Sequence, residues 1–474
     1  MKAVRELAPT NDIERIFEAQ KANQYAIGNT TVKERKEKLS RLLKAIEIDF
    51  RDEIRNALKT DFHKHKAEVD LAEIFPVTSE IKHAKHHLRS WMSPKRVATP
   101  LAFAGGSSWI QHEPKGVCLI ISPWNFPINL TFGPLVSAIA AGNTVMIKPS
   151  EHTPNTSAII KKIVESLFDE SEIAVIGGGI ETSTALLKLP FNHIFFTGAP
   201  EIGKVVMEAA AKHLTSVTLE LGGKSPTIID ETANLKMSAK RIAWGKFSNS
   251  GQVCIAPDYI FVHESKKDEF VKLVKQNILS SFGENANESD SFTHIVNNRH
   301  LNRLKGYLDD AIAKGAKIVH GGKVIQEENY LEPTIVENAA FDSELMKNEI
   351  FGPILPIFAY KNIEEVLTYI RANEKPLALY IFSSNPSNID YILKNTRAGG
   401  TCINHSEIHF FNNNLPFGGV NNSGIGKGHG KFGFEAFSNA RSVYRQHIPG
   451  ALELLLPPYD NFKERLIDLT IKWF

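Results

Sequence analysis

Hydrophobic positions follow two different rhythms along the chain. Between Lys33 and Leu58 the sequence is charged, yet Leu39, Leu42, Leu43, Ile46 and Phe50 recur at helical spacing. Within residues 67–92, Leu71, Ile74, Val77 and Ile81 mark a similar stripe, so residues 1 to about 92 are expected to be helical. Pro94, Pro100 and Gly105-Gly106 then punctuate the chain, and Ser107–His112 is expected to form a short hairpin arm. From Gly116 the rhythm changes to short apolar runs alternating with helical patterns: Val117–Ile121, Thr144–Ile147, Ile173–Ile176, His193–Phe196 and Val217–Leu219. A second series comprises Thr227–Ile229, Tyr259–Val262, Lys317–Val319, Ile354–Tyr360, Leu379–Phe382 and Thr401–Asn404, with helices expected at Lys266–Leu279 and Leu301–Lys314. Such alternation predicts an α/β fold with parallel sheets built from βαβ units.

The ends of the first five runs carry the earliest functional signal. They read Pro123-Trp124-Asn125, Lys148-Pro149-Ser150-Glu151, Gly177-Gly178-Gly179, Thr197-Gly198 and Glu220-Leu221-Gly222-Gly223. Open α/β sheets bind ligands beyond the carboxyl ends of their strands, so the first series is expected to form a nucleotide-binding lobe. Three apparent motifs are weaker. Gly198–Val205 almost spells a P-loop, but Val205 stands where a magnesium-binding hydroxyl belongs, although the backbone there could still face a phosphate. Gly428–Gly433 matches GxGxxG with no strand before it, and His405–His409 has its glutamate out of place for a zinc helix. His83, His86 and His87 lie among Lys82, Lys85 and Arg89 and read as a solvated helix face; no metal site is expected.

Charge and cysteine count narrow the classes. The net charge of +2 leaves no basic excess for phosphate neutralisation, so no nucleic-acid partner is expected. Three widely spaced cysteines exclude a disulfide scaffold and fit a reducing compartment. The first 17 residues lack a secretory apolar core, and no run approaches the ~18 apolar residues that span a bilayer. A cytoplasmic location is therefore expected.

Candidate chemistry falls on few residues. Cys118 and Cys402 lie inside apolar strands, whereas Cys254 sits in the polar, Gly-flanked stretch Ser248–Pro257. Cys254 is thus either a reachable nucleophile or a half-buried loop thiol. Glu220, amid leucines and glycines, suits a desolvated general base or a salt bridge to Lys224. Asn125, between Trp124 and Phe126, offers an amide donor to a developing oxyanion. Glu349, ahead of Phe351, could hold a ribose or belong to a plain turn.

In chain order, Pro123–Pro127, Lys148–Glu151, Phe196–Gly198 with Gly203, Glu220–Lys224, Gly251–Cys254, Glu349–Pro353 and Leu415–Gly424 resemble the motif set of the aldehyde dehydrogenase superfamily. They span about residues 65 to 445. The segments Cys254–Tyr259 and Phe432–Glu435 are similar to its class 3 branch of fatty, aromatic and coniferyl-type enzymes.

The resemblance implies the aldehyde dehydrogenase fold: a Rossmann-like nucleotide-binding domain, an α/β catalytic domain and a small oligomerisation arm. The corresponding division is 1–93 with 114–220 for nucleotide binding, 221–435 for catalysis, and 94–113 with about 436–474 for the arm and tail. It also implies NAD(P)-dependent oxidation of an apolar aliphatic or aromatic aldehyde to the acid. Cys254 would form a thiohemiacetal and then a thioester, Asn125 and the Cys254 N–H would hold the oxyanion, and Glu220 would activate water. Lys148 and Glu151 would bind the adenosine ribose, Glu349 the nicotinamide ribose beside Phe351, and Trp124 with Gly198–Gly203 would line the cleft. A carboxylate at Glu151 favours NAD over NADP, with NADP as an alternative cofactor. A homodimer is implied. Val253 departs from the branch pattern and is expected to shape the pocket, and His405–Phe411 to shape an apolar substrate entrance. In the tail, Phe462, Leu466, Leu469 and Trp473 share a helix face, expected to dock onto the dimer body; a lid or peripheral membrane contact are the alternatives.

Overall fold

The computed structural model describes residues 10–473. The sequence reading of the first nine residues lies outside the described residues. Three packed layers position the site: two largely parallel sheets and a three-stranded antiparallel arm, with helices between and around them.

The first sheet runs Gly424–Ile425, Ser216–Leu221, His193–Gly198, Val117–Ile121, Thr144–Lys148 and Ile173–Val175 in spatial order. All its pairings are parallel except that of Gly424–Ile425, which returns from far along the chain to pair with Leu219 and Glu220. Side chains alternate between two cores, as the strand period requires. Cys118 and Ile120 face the N-terminal helices and the helix Asn129–Ala141, while Val117, Leu119 and Ile121 face the helices Thr10–Gly28 and Pro200–Ala211. The chain builds outward from Val117–Ile121 in one direction, then resumes on its other side with His193–Gly198. That reversal is a topological switch point, where a crevice opens beyond the strand ends.

The second sheet has seven strands: Lys317–His320, Thr334–Glu337, Ile354–Tyr360, Tyr259–His263, Pro226–Ile229, Ala378–Phe382 and Gly400–Ile403. Six of them are parallel, and Lys317–His320 pairs antiparallel at the edge. Thr334–Glu337 was absent from the strands expected above, because four residues with one charge give too short a pattern to stand out.

Leu39, Leu42, Ile46, Ile74, Val77 and Ile81 of the expected stripes are buried and Leu71 is not, and the helices that carry them are interrupted. The helices Val32–Lys44 and Arg51–Phe62 are joined by a π turn at Ala45–Asp49, and a second π turn, Asp70–Ile74, precedes the helix Phe75–Met92. Each wider turn advances the helical phase, so Leu71 points outward at 50% exposure while Val69, Ile74, Val77 and Ile81 are buried. The hairpin expected at Ser107–His112 is the middle strand of the arm, Gly106–Pro114. It pairs briefly with Lys95–Val97 and over nine residues with Ser438–Gln446. The tail forms the helix Asn461–Trp473, on which no side chain is buried; Phe462, Leu469 and Trp473 face solvent. Among the described residues, no helix is long and apolar enough to cross a membrane.

Candidate active site

A cavity of about 620 Å³ opens at the switch point of the first sheet and extends to the second. Trp124, Asn125, Gly198, Glu220, Cys254, Glu349 and Phe351 all line it. Residues spread over more than two hundred positions of sequence therefore converge on one space. Lys148 and Glu151 do not line it: they stand at the neighbouring strand end, ion-paired to each other at 2.5 Å, with Lys148 buried and Glu151 exposed. Gly203 lies in the helix behind the wall, where a Cβ would sit 2.8 Å from the Leu221 side chain. It lets that helix approach the strand that carries Glu220.

The loop that carries Cys254 follows the helix Leu235–Phe247. Asn249, Ser250 and Gly251 take left-handed backbone in succession (φ 49°, 52° and 69°), a costly turn held by bonds from several directions. Asn249 N donates to Glu68 at 2.5 Å, Ser250 donates to the Thr293 carbonyl, and the Gln252 amide bridges the Asn249 carbonyl, the His294 carbonyl and the Val296 N–H. A Cβ on Gly251 would meet the Gly352 carbonyl at 2.4 Å, so this loop and the Glu349–Pro353 loop are in backbone contact. Cys254 emerges half-buried at the end of the turn. Val253, expected to shape the pocket, does not line the cavity and packs in the core beneath the second sheet, with Ile255 and Ala256.

Asn125 is 3% exposed and donates to the Gln252 carbonyl at 3.0 Å, which brings its amide beside the Cys254 loop. Its carbonyl accepts from Asn249 at 3.0 Å and from Lys64 at 3.2 Å. Lys64 is fully buried and ion-paired with Glu73 at 2.9 Å, whose other oxygen accepts the Ile128 and Asn129 N–H groups. Sequence reasoning missed Lys64 and Glu73, which look like ordinary charged helix residues. Only their burial as a pair reveals the support they give to Asn125.

Both oxygens of Glu220 are buried without a hydrogen-bond partner. Desolvation pushes its carboxyl well above the usual carboxylate range, against the pull of Lys427. The suggested salt bridge to Lys224 is not formed: Lys224 pairs with Asp258 and donates to the Leu345 and Asn348 carbonyls. Burial and the nearby Glu349, Glu220 and Glu407 carboxyls push the Cys254 thiol up.

Glu349 has one unpartnered buried oxygen, and burial followed by Asp258 raises its carboxyl to about 8. A Cβ on Gly222 would fall 2.0 Å from its other oxygen, so a side chain there would displace the Glu349 carboxyl. Asp258 accepts the Ile350 N–H at 2.9 Å, and Arg303 donates to the Ile350 and Phe351 carbonyls at 2.8 and 3.2 Å. Together they hold Phe351 in left-handed backbone, φ 47°. Trp124 packs on Phe351 edge-on at 5.3 Å and against His300 at 4.8 Å. His300 and Arg303 were not anticipated, since a histidine and an arginine within a charged helix carry no distinctive spacing.

The opposite wall is apolar, with Phe410, Phe417, Leu130 and Pro134, but holds one more buried acid. Glu80 accepts the Gly430 N–H at 2.7 Å through one oxygen, and its other oxygen has no partner; burial raises its carboxyl to about 7. Gly428-His429, set aside above as part of an isolated GxGxxG, line the cavity between Glu80 and Glu220. Of the aromatic pair after His409, Phe410 packs on Phe417 and His429 inside the cavity, whereas Phe411 stacks on Phe75 outside. Among the described residues no cluster of histidine, cysteine and carboxylate groups has the geometry to hold a metal ion.

The residues present fit a dinucleotide. The helix Pro200–Ala211 points its N-terminus into the cavity through Gly198–Glu201, an unpartnered Glu349 oxygen awaits a donor, and Trp124 and Phe351 offer flat walls.

Comparison with known proteins agrees with this geometry. The model of the Aldehyde dehydrogenase family matches residues 3–443. The 4,4'-diaponeurosporen-aldehyde dehydrogenase of Staphylococcus aureus is 43% identical over 449 residues, covering 95% of this chain and 97% of that one. Aldehyde dehydrogenase family 3 member A2 of Pongo abelii is 42% identical over 409 residues, covering 86% of this chain and 83% of its own. Among solved structures, the substrate-bound state of Staphylococcus aureus AldH superposes with a TM-score of 0.92 at 42% identity, covering 97% of this chain and 99% of that one. A Mycobacterium tuberculosis aldehyde dehydrogenase complexed with NAD+ gives 0.85 at 25% identity, over 94% and 92%.

Proposed function

The chain belongs to the aldehyde dehydrogenase family, in its class 3-like branch, and on that premise we propose that it oxidises apolar aldehydes to carboxylic acids through a covalent adduct on Cys254. The enzyme is an oxidoreductase using a nicotinamide cofactor. The observation that carries the finer reading is the convergence of a reachable thiol, an amide donor and a desolvated, unpartnered carboxyl on one cavity.

Cys254 gives up its thiol proton to water and attacks the aldehyde carbon as thiolate, and the alkoxide that forms is held by the Asn125 amide and the Cys254 N–H. When bound, the nicotinamide cofactor would supply the hydride acceptor. Loss of hydride leaves a thioester on Cys254. Glu220 then takes a proton from water, which releases the acid and the thiol. Desolvation makes Glu220 a stronger base once ionised, which suits that step.

For the cofactor, Glu349 would hold the nicotinamide ribose, with Trp124 and Phe351 against the ring and Gly198–Glu201 near the phosphates. Lys148 and Glu151 would part to receive the adenosine ribose, and the Glu151 charge favours NAD over NADP. Phe410, Phe417, Leu130 and Pro134 support an apolar substrate, and the Staphylococcus aureus relative is named for a 4,4'-diaponeurosporen-aldehyde. We assign residues 1–93 with 114–220 to nucleotide binding, 221–435 to catalysis and the exposed arm, 94–113 with about 436–474, to homodimer formation. Absorbance of reduced nicotinamide tests the reading. Aldehydes of graded size with NAD or NADP are expected to give rates that rise with apolar chain length, and a folded enzyme silent with every aldehyde would refute it.

A further inference from the structure

Glu220 presents an electrostatic problem that its immediate neighbours do not solve. A carboxylate in this site has no hydrogen-bond donor, and burial favours its protonated form. A base that stays protonated cannot activate water.

One cation answers the buried charge. Lys427 stands behind the cavity wall, on the segment that follows the short strand Gly424–Ile425 paired with Glu220. Its ammonium donates to the carbonyls of Gly418, Gly419 at 3.2 Å and Gly399 at 3.5 Å. A Cβ on Gly418 would meet the Glu220 Oε1 at 2.9 Å and the Lys427 Cδ at 3.1 Å, so the lysine stem and the carboxyl flank the same empty point. The three carbonyls fix the ammonium in place without neutralising it. Lys427 is half-buried and Glu220 buried, so water screens the pair less than it would two exposed charges.

Among the described residues, no other cation faces the carboxyl. On the cavity side stands the Cys254 thiol, with Glu349 and Glu407 beyond it, both acids. His429, one residue past the Gly428 backbone that touches Glu220, is kept neutral by burial, its imidazole lowered to about 4. Lys224 is turned to Asp258.

We propose that Lys427 is a positioning residue that holds Glu220 in its ionised, water-activating form, and so sets the pH range in which the thioester is hydrolysed. The inference rests on the reading of Glu220 as the base. A merely structural lysine would tie the Gly399 and Gly418-Gly419 backbones together and leave the ionisation of Glu220 unchanged.

The test uses the full-length enzyme with NAD+ and a saturating aldehyde, comparing wild type, Lys427→Met, Lys427→Gln, Lys427→Arg and Glu220→Gln. Rapid mixing separates the burst of reduced nicotinamide from the steady-state rate, which reports hydrolysis, over about pH 6 to 9. Lys427→Met and Lys427→Gln are expected to move the rising limb of the steady-state rate upward by about one pH unit, roughly tenfold at a fixed pH on that limb. The burst stays as in wild type, and Lys427→Arg keeps the wild-type limb. Lys427→Gln, whose amide can still donate to the glycine carbonyls, guards against a folding defect in Lys427→Met. A limb at the wild-type pH in both neutral variants, whatever its height, overturns the inference. If Glu220→Gln itself retains the limb, the base assignment fails and takes the inference with it. Loss of the limb in Glu220→Gln beside an unmoved limb in the neutral lysine variants defeats the role of Lys427 alone.

Discussion

The nucleophile loop and the Lys148–Glu151 corner both lie at the ends of regular elements and both carry chemically distinctive residues, but the protein treats them oppositely. Ser248–Cys254 forces three successive residues through left-handed backbone and spends bonds to Glu68, Thr293, His294 and Val296 to keep them there. The Lys148–Glu151 corner is ordinary backbone whose two charges satisfy each other, with Glu151 in solvent. On the proposed reading, geometry is preorganised where bonds are made and broken, since misplacement of a reacting atom by about 1 Å can cost on the order of 10²-fold. At the far end of a cofactor, a pair that can exchange partners is enough.

Substitutions test that contrast in descending order of effect. Cys254→Ala removes the nucleophile and is expected to lower kcat by ~10³-fold or more while cofactor binding, followed by fluorescence titration, is retained. Asn125→Ala removes an oxyanion donor and should lower kcat by ~10²–10³-fold with little change in KM. Gly251→Ala sets a Cβ against the Gly352 carbonyl at positive φ. It should lower both kcat and stability, the latter by about 1–3 kcal/mol in denaturant unfolding. At the corner, by contrast, Glu151→Gln should leave kcat with NAD unchanged and lower the KM for NADP a few-fold, since only a charge facing a 2′-phosphate is removed. A loss of kcat in Glu151→Gln as large as that in Gly251→Ala would erase the distinction.

Glu80 sharpens the comparison from the stability side. Its carboxyl is raised to about 7, above the ordinary value of 4.5, chiefly by burial. An acid raised on folding favours the folded state below its unfolded pKa, and that advantage is lost as pH rises through the folded one. Glu80→Gln keeps an acceptor for the Gly430 N–H, so above pH 7 it should be more stable than wild type by up to about 3 kcal/mol, and no more stable near pH 4. Unfolding curves at the two pH values check it.

Much of this arrangement was legible because motif residues sit where strands end. The five apolar runs from Val117 to Leu219 are the five parallel strands of the first sheet, and Trp124, Asn125, Gly198 and Glu220 follow or end them. What escaped the sequence depends on non-local pairing or on phase. The partner of Gly106–Pro114 lies more than three hundred residues away, and nothing in either strand names the other. The π turn at Asp70–Ile74 turns Leu71 out of an otherwise buried stripe. Lys64, Glu73 and Lys427 read as surface charges until the fold encloses them or brings them to a buried carboxyl. Gly428-His429 lacked a strand and were discounted, yet their backbone closes the cavity between two acids.

The central claim is that Cys254 carries the acyl group and Glu220 releases it. Intact-protein mass spectrometry of Glu220→Gln, mixed with NAD+ and one apolar aldehyde, tests this most directly. The account predicts a stoichiometric mass gain equal to the acyl group, mapped by peptide analysis to Cys254 and absent from the double variant with Cys254→Ala. Continued acid production by Glu220→Gln at the wild-type rate, with no adduct on Cys254, would contradict it.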